Sequence, residues 1–281
     1  MSKVLIGIGD SFTEGQGGIS LASETYKKYG DRIFNGVHSL PIKRAEHEAS
    51  WVNQICVKHL KEYTPLNFGN RGGGNRSSVK ELYLRSNQIP DDVEDIIVIF
   101  MLSGKERFDF VQRGVELQGD HHFYTAFPNP QKNQPVWVAY ANHIHSDQAS
   151  VVETIMNICE AETWCKANNA KLILCSAFDT TITKQSFSDI LPKSVKWFSD
   201  LVNWDEFFRP DGYETILHML IDREEKGSEE VEMLKNGGYW DKYGGKFPCK
   251  EWVTPCCHPT NRGHKLIARL LVDEILRRGY A

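Results

Sequence analysis

Four apolar runs punctuate the chain: Val4-Leu5-Ile6-Gly7-Ile8, Pro65-Leu66-Asn67-Phe68, Asp95-Ile96-Ile97-Val98-Ile99-Phe100-Met101-Leu102 and Lys171-Leu172-Ile173-Leu174-Cys175-Ser176-Ala177. Each has the length of a strand, and the third is continuous enough to be covered on both faces. Between them the pattern changes to helical spacing. Ser50 precedes Trp51 to Leu60, with apolar residues at 51, 52, 55, 56 and 60, and Ser77 or Ser78 opens a second stretch to about Asn87. Val151, Val152, Ile155, Met156, Cys159 and Trp164 stripe a third helix from about Ser150 to Asn168, and a closing helix lies within Asn261 to Arg278. Strands alternating with helices predict the α/β class with a mainly parallel sheet.

Three stretches break the alternation. Residues 16–49 mix glycine, charge and aromatics with weak periodicity and read as a long loop or insertion. Residues 103–147 are irregular and hold His121-His122-Phe123-Tyr124 and Trp137. Residues 180–250 offer no strand pattern but many aromatics, among them Trp197, Trp204, Phe207, Phe208 and Trp240. They fit a lid over the strand ends, where open α/β sheets bind ligands, or a structural cap on the sheet. The expected organisation is one domain over 1–281 carrying these insertions, since 281 residues are within reach of one elaborated α/β domain.

Composition narrows the partners. Hydrophobic residues at 41%, charged residues at 25% and a net charge of -4 are ordinary for a globular protein and leave no general basic footprint for nucleic acid. No apolar run approaches the roughly 18 residues of a membrane span, and Met1-Ser2-Lys3 runs directly into the first strand, so synthesis in the cytoplasm without a secretory signal is expected. Seven scattered cysteines, Cys56, Cys159, Cys165, Cys175, Cys249, Cys256 and Cys257, argue for reduced thiols. Cys249, Cys256, Cys257 and His258 lack the C-x2-C spacing of a zinc site, and no metal or cofactor is expected.

The chemistry concentrates at the two ends. The first strand delivers the chain into Gly9-Asp10-Ser11-Phe12-Thr13-Glu14-Gly15, and His258-Pro259 stands late, six residues before His264. A serine just beyond a buried strand, with a late histidine able to return to it, is what nucleophilic hydrolysis needs, because the hydroxyl must lose its proton as it attacks. The same glycines could open a dinucleotide-binding turn. Phe12 stands where that fingerprint needs its third glycine, which weakens a nucleotide-binding reading.

The first block, G-D-S-F-T-E-G, and the late block H-P-T-N-R-G-H, about 240 residues apart, resemble the first and last motifs of the SGNH/GDSL hydrolase superfamily. The resemblance implies a three-layer α/β/α sandwich of flavodoxin-like type, Ser11 as nucleophile and His258 as base, and ester hydrolysis through an acyl-serine. It also implies an oxyanion site built from the Ser11 N–H, a glycine N–H in the second block and an asparagine side chain in the third. Asn67-Phe68-Gly69-Asn70-Arg71-Gly72 is similar to the second block, with Gly72 at the donor position and Gly73 as the register alternative.

Two departures stand out. Where the third block should carry asparagine the chain has Ser103-Gly104-Lys105-Glu106-Arg107, leaving Ser103, a backbone amide or Arg107 as donor. Where the last block should carry an aspartate, three residues before the histidine, stands Pro255. Asp10, Asp205, Glu251 and Asp179 are the candidate third acids, with Arg107 as a further supporting residue. A Ser-His dyad is the working mechanism, and the expected substrate is a small-molecule or carbohydrate ester, because aromatic faces in the insertions could stack on sugars. The other reading is a catalytically impaired SGNH fold serving as a binding or structural module, with protein partners on the insertions. Divergence of this kind suits a bacteriophage protein, which would then be virion-associated.

Overall fold

The computed structural model of the chain describes residues 2–20, 23–29, 40–110, 124–126, 135–224, 251–254 and 257–281. In chain order its elements are β1 (Ser2–Gly9), α1 (Ser11–Glu14), α2 (Glu24–Tyr29), α3 (Leu40–Ala49), α4 (Trp51–Lys58), β2 (Tyr63–Asn67), α5 (Asn75–Leu84), β3 (Val93–Leu102), β4 (Phe108–Phe110), β5 (Tyr124–Ala126), α6 (Pro135–His143), α7 (Asp147–Ala167), β6 (Lys171–Ser176), α8 (Lys184–Ile190), α9 (Ile216–Asp222) and α10 (Asn261–Arg277).

Side-chain alternation along the strands creates two cores. Leu5, Ile97, Ile99, Met101, Ile173 and Cys175 point to one face, where they meet Trp51 and Ile55 of α4, Met219 of α9 and Ile267 and Leu271 of α10. Their neighbours Val4, Ile6, Ile8, Val98, Phe100, Leu102 and Leu174 point to the other, against Val79 and Leu82 of α5 and Val151, Ile155 and Ile158 of α7. The result is the three-layer α/β/α arrangement, with a parallel sheet in the order β2-β1-β3-β6. The chain leaves β1 toward β2 through α4, then reverses past β1 to β3 through α5. Right-handed crossovers put helices on opposite faces when the direction reverses, so β1 and β3 flank a topological switch point. The turns after these two strands therefore open into the crevice where such sheets hold ligands.

The helix expected from Ser77 or Ser78 begins earlier, at Asn75, for a long-range reason. Asp109 reaches back from β4, accepting from the Gly74 N–H at 3.0 Å and the Ser77 N–H at 2.8 Å. With its cap supplied from 35 residues away, the serines are released to donate back to the Gly74 carbonyl.

The three irregular stretches hold more structure than periodicity predicts. Residues 16–49 contain α2 and α3, and α3 buries Ile42 and Ala49 together with the charged Glu46. Within 103–147, β4 and β5 form an antiparallel pair and α6 follows; His121, His122 and Phe123 lie outside the described residues. Much of the described part of 180–250 packs into the cores, although Trp197 is exposed. Ile182, Phe187, Leu191, Val202 and Phe207 enter the second core, while Phe208, Ile216 and Leu220 enter the first. Phe207 bridges Leu174 in parallel, and the Phe208 N–H donates to the Leu174 carbonyl at 2.7 Å, adding one residue of sheet beyond β6. Trp240 and the rest of 225–250 lie outside the described residues. Cys56, Cys159, Cys165, Cys175 and Cys257 are free thiols, and Cys249 and Cys256 also lie outside. Among the described residues no helix is long and apolar enough to cross a membrane.

Candidate active site

The turn that carries Ser11, the candidate nucleophile, starts where β1 ends. Gly9 has φ +152, a backbone region L side chains rarely adopt, and a Cβ there would sit 2.6 Å from the Met101 carbonyl oxygen. Asp10 then caps α1, its Oδ1 accepting from the Phe12 N–H at 3.0 Å, and Ser11 follows as the first helical residue. As that first residue, Ser11 has no carbonyl one turn back for its own N–H. Its Oγ lies 2.7 Å from His258 Nε2, although the two residues are 247 positions apart.

The late block brings the histidine there through a sequence of local constraints. Thr254 and His258 close a tight turn: the Thr254 N–H donates to the His258 carbonyl at 2.8 Å, and the His258 N–H donates to Thr254 Oγ1 at 3.1 Å. Val253 and Pro259 pair as an antiparallel bridge, and Thr260 caps α10 by accepting from the Gly263 N–H at 3.2 Å. Asn261 Nδ2 donates to the Gly18 carbonyl at 2.8 Å, docking this block on the turn behind Ser11. Gly17 permits the contact, since a Cβ there would lie 2.7 Å from the Pro259 carbonyl oxygen and 3.2 Å from His258 Cβ. The Phe12 ring stands 5.5 Å from the His258 ring, tilted against it, and 5.8 Å from the Phe178 ring.

His264, the second histidine of the block, has a different environment. It is wholly buried with Nε2 3.4 Å from the Gln16 carbonyl oxygen, and burial pushes its pKa down to about 4. It is a neutral packing residue that seats α10 against the 15–18 turn.

The second-block loop meets the nucleophile turn directly. The Asn70 N–H donates to the Gly9 carbonyl at 2.9 Å, and Asn67 Nδ2 donates to the Thr13 carbonyl at 2.8 Å. The Gly73 N–H is taken up by the Asn70 carbonyl at 2.9 Å. Gly72, at φ +75, has open space where a Cβ would stand, and among the described residues its N–H has no partner. Of the two register alternatives, Gly72 is thus the one with an N–H to offer.

Ser103 and Arg107 leave β3 in different directions. Ser103 is fully buried, and both its N–H and its hydroxyl donate to Asn75 Oδ1, at 2.8 and 3.3 Å. Its hydroxyl is directed at Asn75, a residue the sequence pattern did not single out. Arg107 turns back to the nucleophile: Nη1 donates to Asp10 Oδ2 at 2.9 Å and to the Gly73 carbonyl at 2.7 Å. Burial pushes the Asp10 carboxyl up, opposed by the Arg107 guanidinium and the Phe12 N–H.

The candidate third acids are engaged elsewhere. Asp10 serves Phe12 and Arg107. Glu251 pairs with Arg262, and Asp205 is exposed on a short 3-10 turn beside Trp204, which packs on the second core. Asp179 holds its own loop by accepting from the Lys105 N–H at 2.9 Å and from Thr181. Among the contacts between described residues, none of the four reaches His258. Pro255 lies outside the described residues.

Two further charged groups lie near. Glu14, the last residue of α1, and Glu46 of α3 share Arg71 from the second-block loop, all but buried; Arg71 Nε is 3.3 Å from Glu14 Oε2, and burial pushes Glu46 up to about 7 against the pull of Arg71. Glu106, His145 and Asp147 bring potential metal-ligating atoms within 4.8 Å of one another, but Glu106 already has the Lys105 ammonium at 3.6 Å.

No family model matches the chain, and no curated protein matches it. Among solved structures it is similar to the crystal structure of LAE5, an alpha/beta hydrolase enzyme from the metagenome of Lake Arreo, Spain, at 15% identity over 97% of this chain and 95% of that one, with a TM-score of 0.38. At that TM-score the backbones differ too much for the likeness to bear on chemistry here. The SGNH/GDSL resemblance stands on the residues quoted for it.

Proposed function

We propose that the protein is a serine ester hydrolase of SGNH type, acting on small acyl esters through Ser11 and His258. The observation that carries the reading is the 2.7 Å approach of Ser11 Oγ to His258 Nε2 at the carboxyl end of a central parallel strand. In the reaction His258 Nε2 takes the Ser11 proton as Oγ attacks the ester carbonyl. The tetrahedral oxyanion is met by the Ser11 and Gly72 N–H groups. Collapse expels the alcohol, which receives its proton from His258. Water, deprotonated by His258, then attacks the acyl-serine and releases the acid with Ser11 restored.

An acetylated carbohydrate remains the substrate to try first, on a narrower basis than composition offers. Phe12, Phe187, Phe207 and Phe208 are all core residues, which leaves Phe178, partly buried and packed beside Phe12, as the aromatic ring near the site with a face to offer. The test is turnover of an aryl acetate and of peracetylated and partly acetylated sugars by the wild type, Ser11→Ala and His258→Ala. Acetate release that disappears in both variants supports the proposal. A folded wild type that releases none of it favours the binding-module reading, in which the buried commitment of the Ser103 hydroxyl to Asn75 leaves the third donor unfilled.

A further inference from the structure

We propose that Arg107 is a positioning residue for this hydrolytic site, fixing the Gly72 loop against the Ser11 turn; the inference rests on the ester-hydrolase reading. A single nitrogen, Nη1, donates both to the Asp10 carboxylate at 2.9 Å and to the Gly73 carbonyl at 2.7 Å. The two N–H bonds of that nitrogen diverge in one plane, so its two acceptors are held at a set separation and angle. One acceptor belongs to the residue before the nucleophile and the other to the residue after the proposed oxyanion donor.

The guanidinium is itself oriented. Its Cζ lies 4.9 Å from the Phe178 ring centroid, Phe178 packs on Phe12, and Phe12 packs on His258. One side chain thereby joins four loops: those carrying the nucleophile, the oxyanion glycine, the Phe178 support and its own segment after β3. The joint is mostly buried, with Arg107 15% exposed and Asp10 fully buried, so water is a poor substitute for either hydrogen bond. Arg107 acts through Asp10 and Gly73, leaving the oxyanion to be met by backbone N–H groups. This explains how a segment with no asparagine at the third-block position can still serve the site: it organises the donors supplied by the other two blocks.

The experiment compares wild type with Arg107→Ala, Arg107→Gln and Arg107→Lys. It reads the rate of fluorophosphonate labelling, kcat and KM on an aryl acetate, and thermal unfolding. Loss of donor geometry at an oxyanion site is expected to lower labelling and kcat about 100-fold in Arg107→Ala, with KM changed less than about threefold. Arg107→Lys keeps the charge without the planar fork and recovers only part of the loss. Arg107→Gln fills similar space and guards against an alanine variant that fails to fold. Added guanidinium ion should raise the rate of Arg107→Ala saturably, which a purely structural lesion would not show. A reactive wild type with Arg107 variants that are folded and equally fast overturns the positioning role while leaving the hydrolase reading intact. An unreactive wild type with the variants equally silent overturns the hydrolase reading and this inference with it.

Discussion

The turns that follow β1 and β3 leave adjacent parallel strands at the same end of the sheet, yet they are built for opposite purposes. After β1, Gly9 and the Asp10 cap present Ser11 to His258 at 2.7 Å. After β3, the side chains turn inward: Ser103 to Asn75, Arg107 to Asp10 and Gly73, and Asp109 to the start of α5. One turn presents a reactive group, and the other secures the glycine-rich loop between them. A site at a switch point need not draw its chemistry evenly from both strands. Here the segment after β3 holds the glycine-rich loop in place through Arg107 and Asp109.

The comparison can be broken most sharply at Ser11. Ser11→Ala and His258→Ala should each lower ester turnover about a thousandfold or more with folding intact, because the two act as one unit. On the scaffolding side, Asp109→Ala strips the acceptor from the Gly74 and Ser77 N–H groups and from Thr125 Oγ1. A loss of about 3 kcal/mol in denaturant unfolding is expected, larger than any loss from Ser11→Ala.

The buried His264 and Glu46 give a pH test. Unfolded His264 takes its proton near pH 6.5, whereas the folded residue holds out to about 4, so the unfolded state binds more protons in that window and stability falls as pH drops through it. Relative to wild type, His264→Gln should gain stability between pH 6.5 and 4, by up to roughly 3 kcal/mol. Glu46 runs the other way. Its folded pKa of about 7 lies above the ordinary carboxyl value of 4.5, so its contribution is present in acid and lost as pH rises through that window. Glu46→Gln should therefore gain on wild type between pH 4.5 and 7, as read in unfolding midpoints across a pH series. The smallest effect belongs to Glu251→Gln: its carboxylate pairs with Arg262 and does not bond His258, so ester turnover should change less than about threefold.

Much of this was legible in the sequence because the signals were local. Continuous apolar runs mark β1 and β3, Ser50 marks the start of α4, and the spacing of Val151, Ile155 and Trp164 marks α7. The sharp turn that carries Ser11 was legible as well, since glycine and a capping aspartate directly after a buried apolar run mark a strand-to-helix break. What escaped depends on distant partners. The start of α5 is set by Asp109, and α3 buries a charge whose partner, Arg71, is 25 residues away. Phe207 and Phe208 read in composition as part of a lid or a structural cap and prove to be core, because the elements they pack on, Leu174 of β6 among them, come from another part of the chain. Asn75 carries no periodicity at all, and Arg107, a candidate from its place after β3, gave no sign in sequence of its partners Asp10 and Gly73. A polar residue's place in a buried network is written only in three dimensions.

Intact mass after exposure of the purified protein to a fluorophosphonate probe tests the central claim most directly, because such a probe reacts quickly only with a serine whose base and oxyanion donors act together. The account predicts a single adduct on Ser11 in the wild type and none in Ser11→Ala or His258→Ala. A folded wild type that stays unmodified, or an adduct that survives Ser11→Ala, would contradict it.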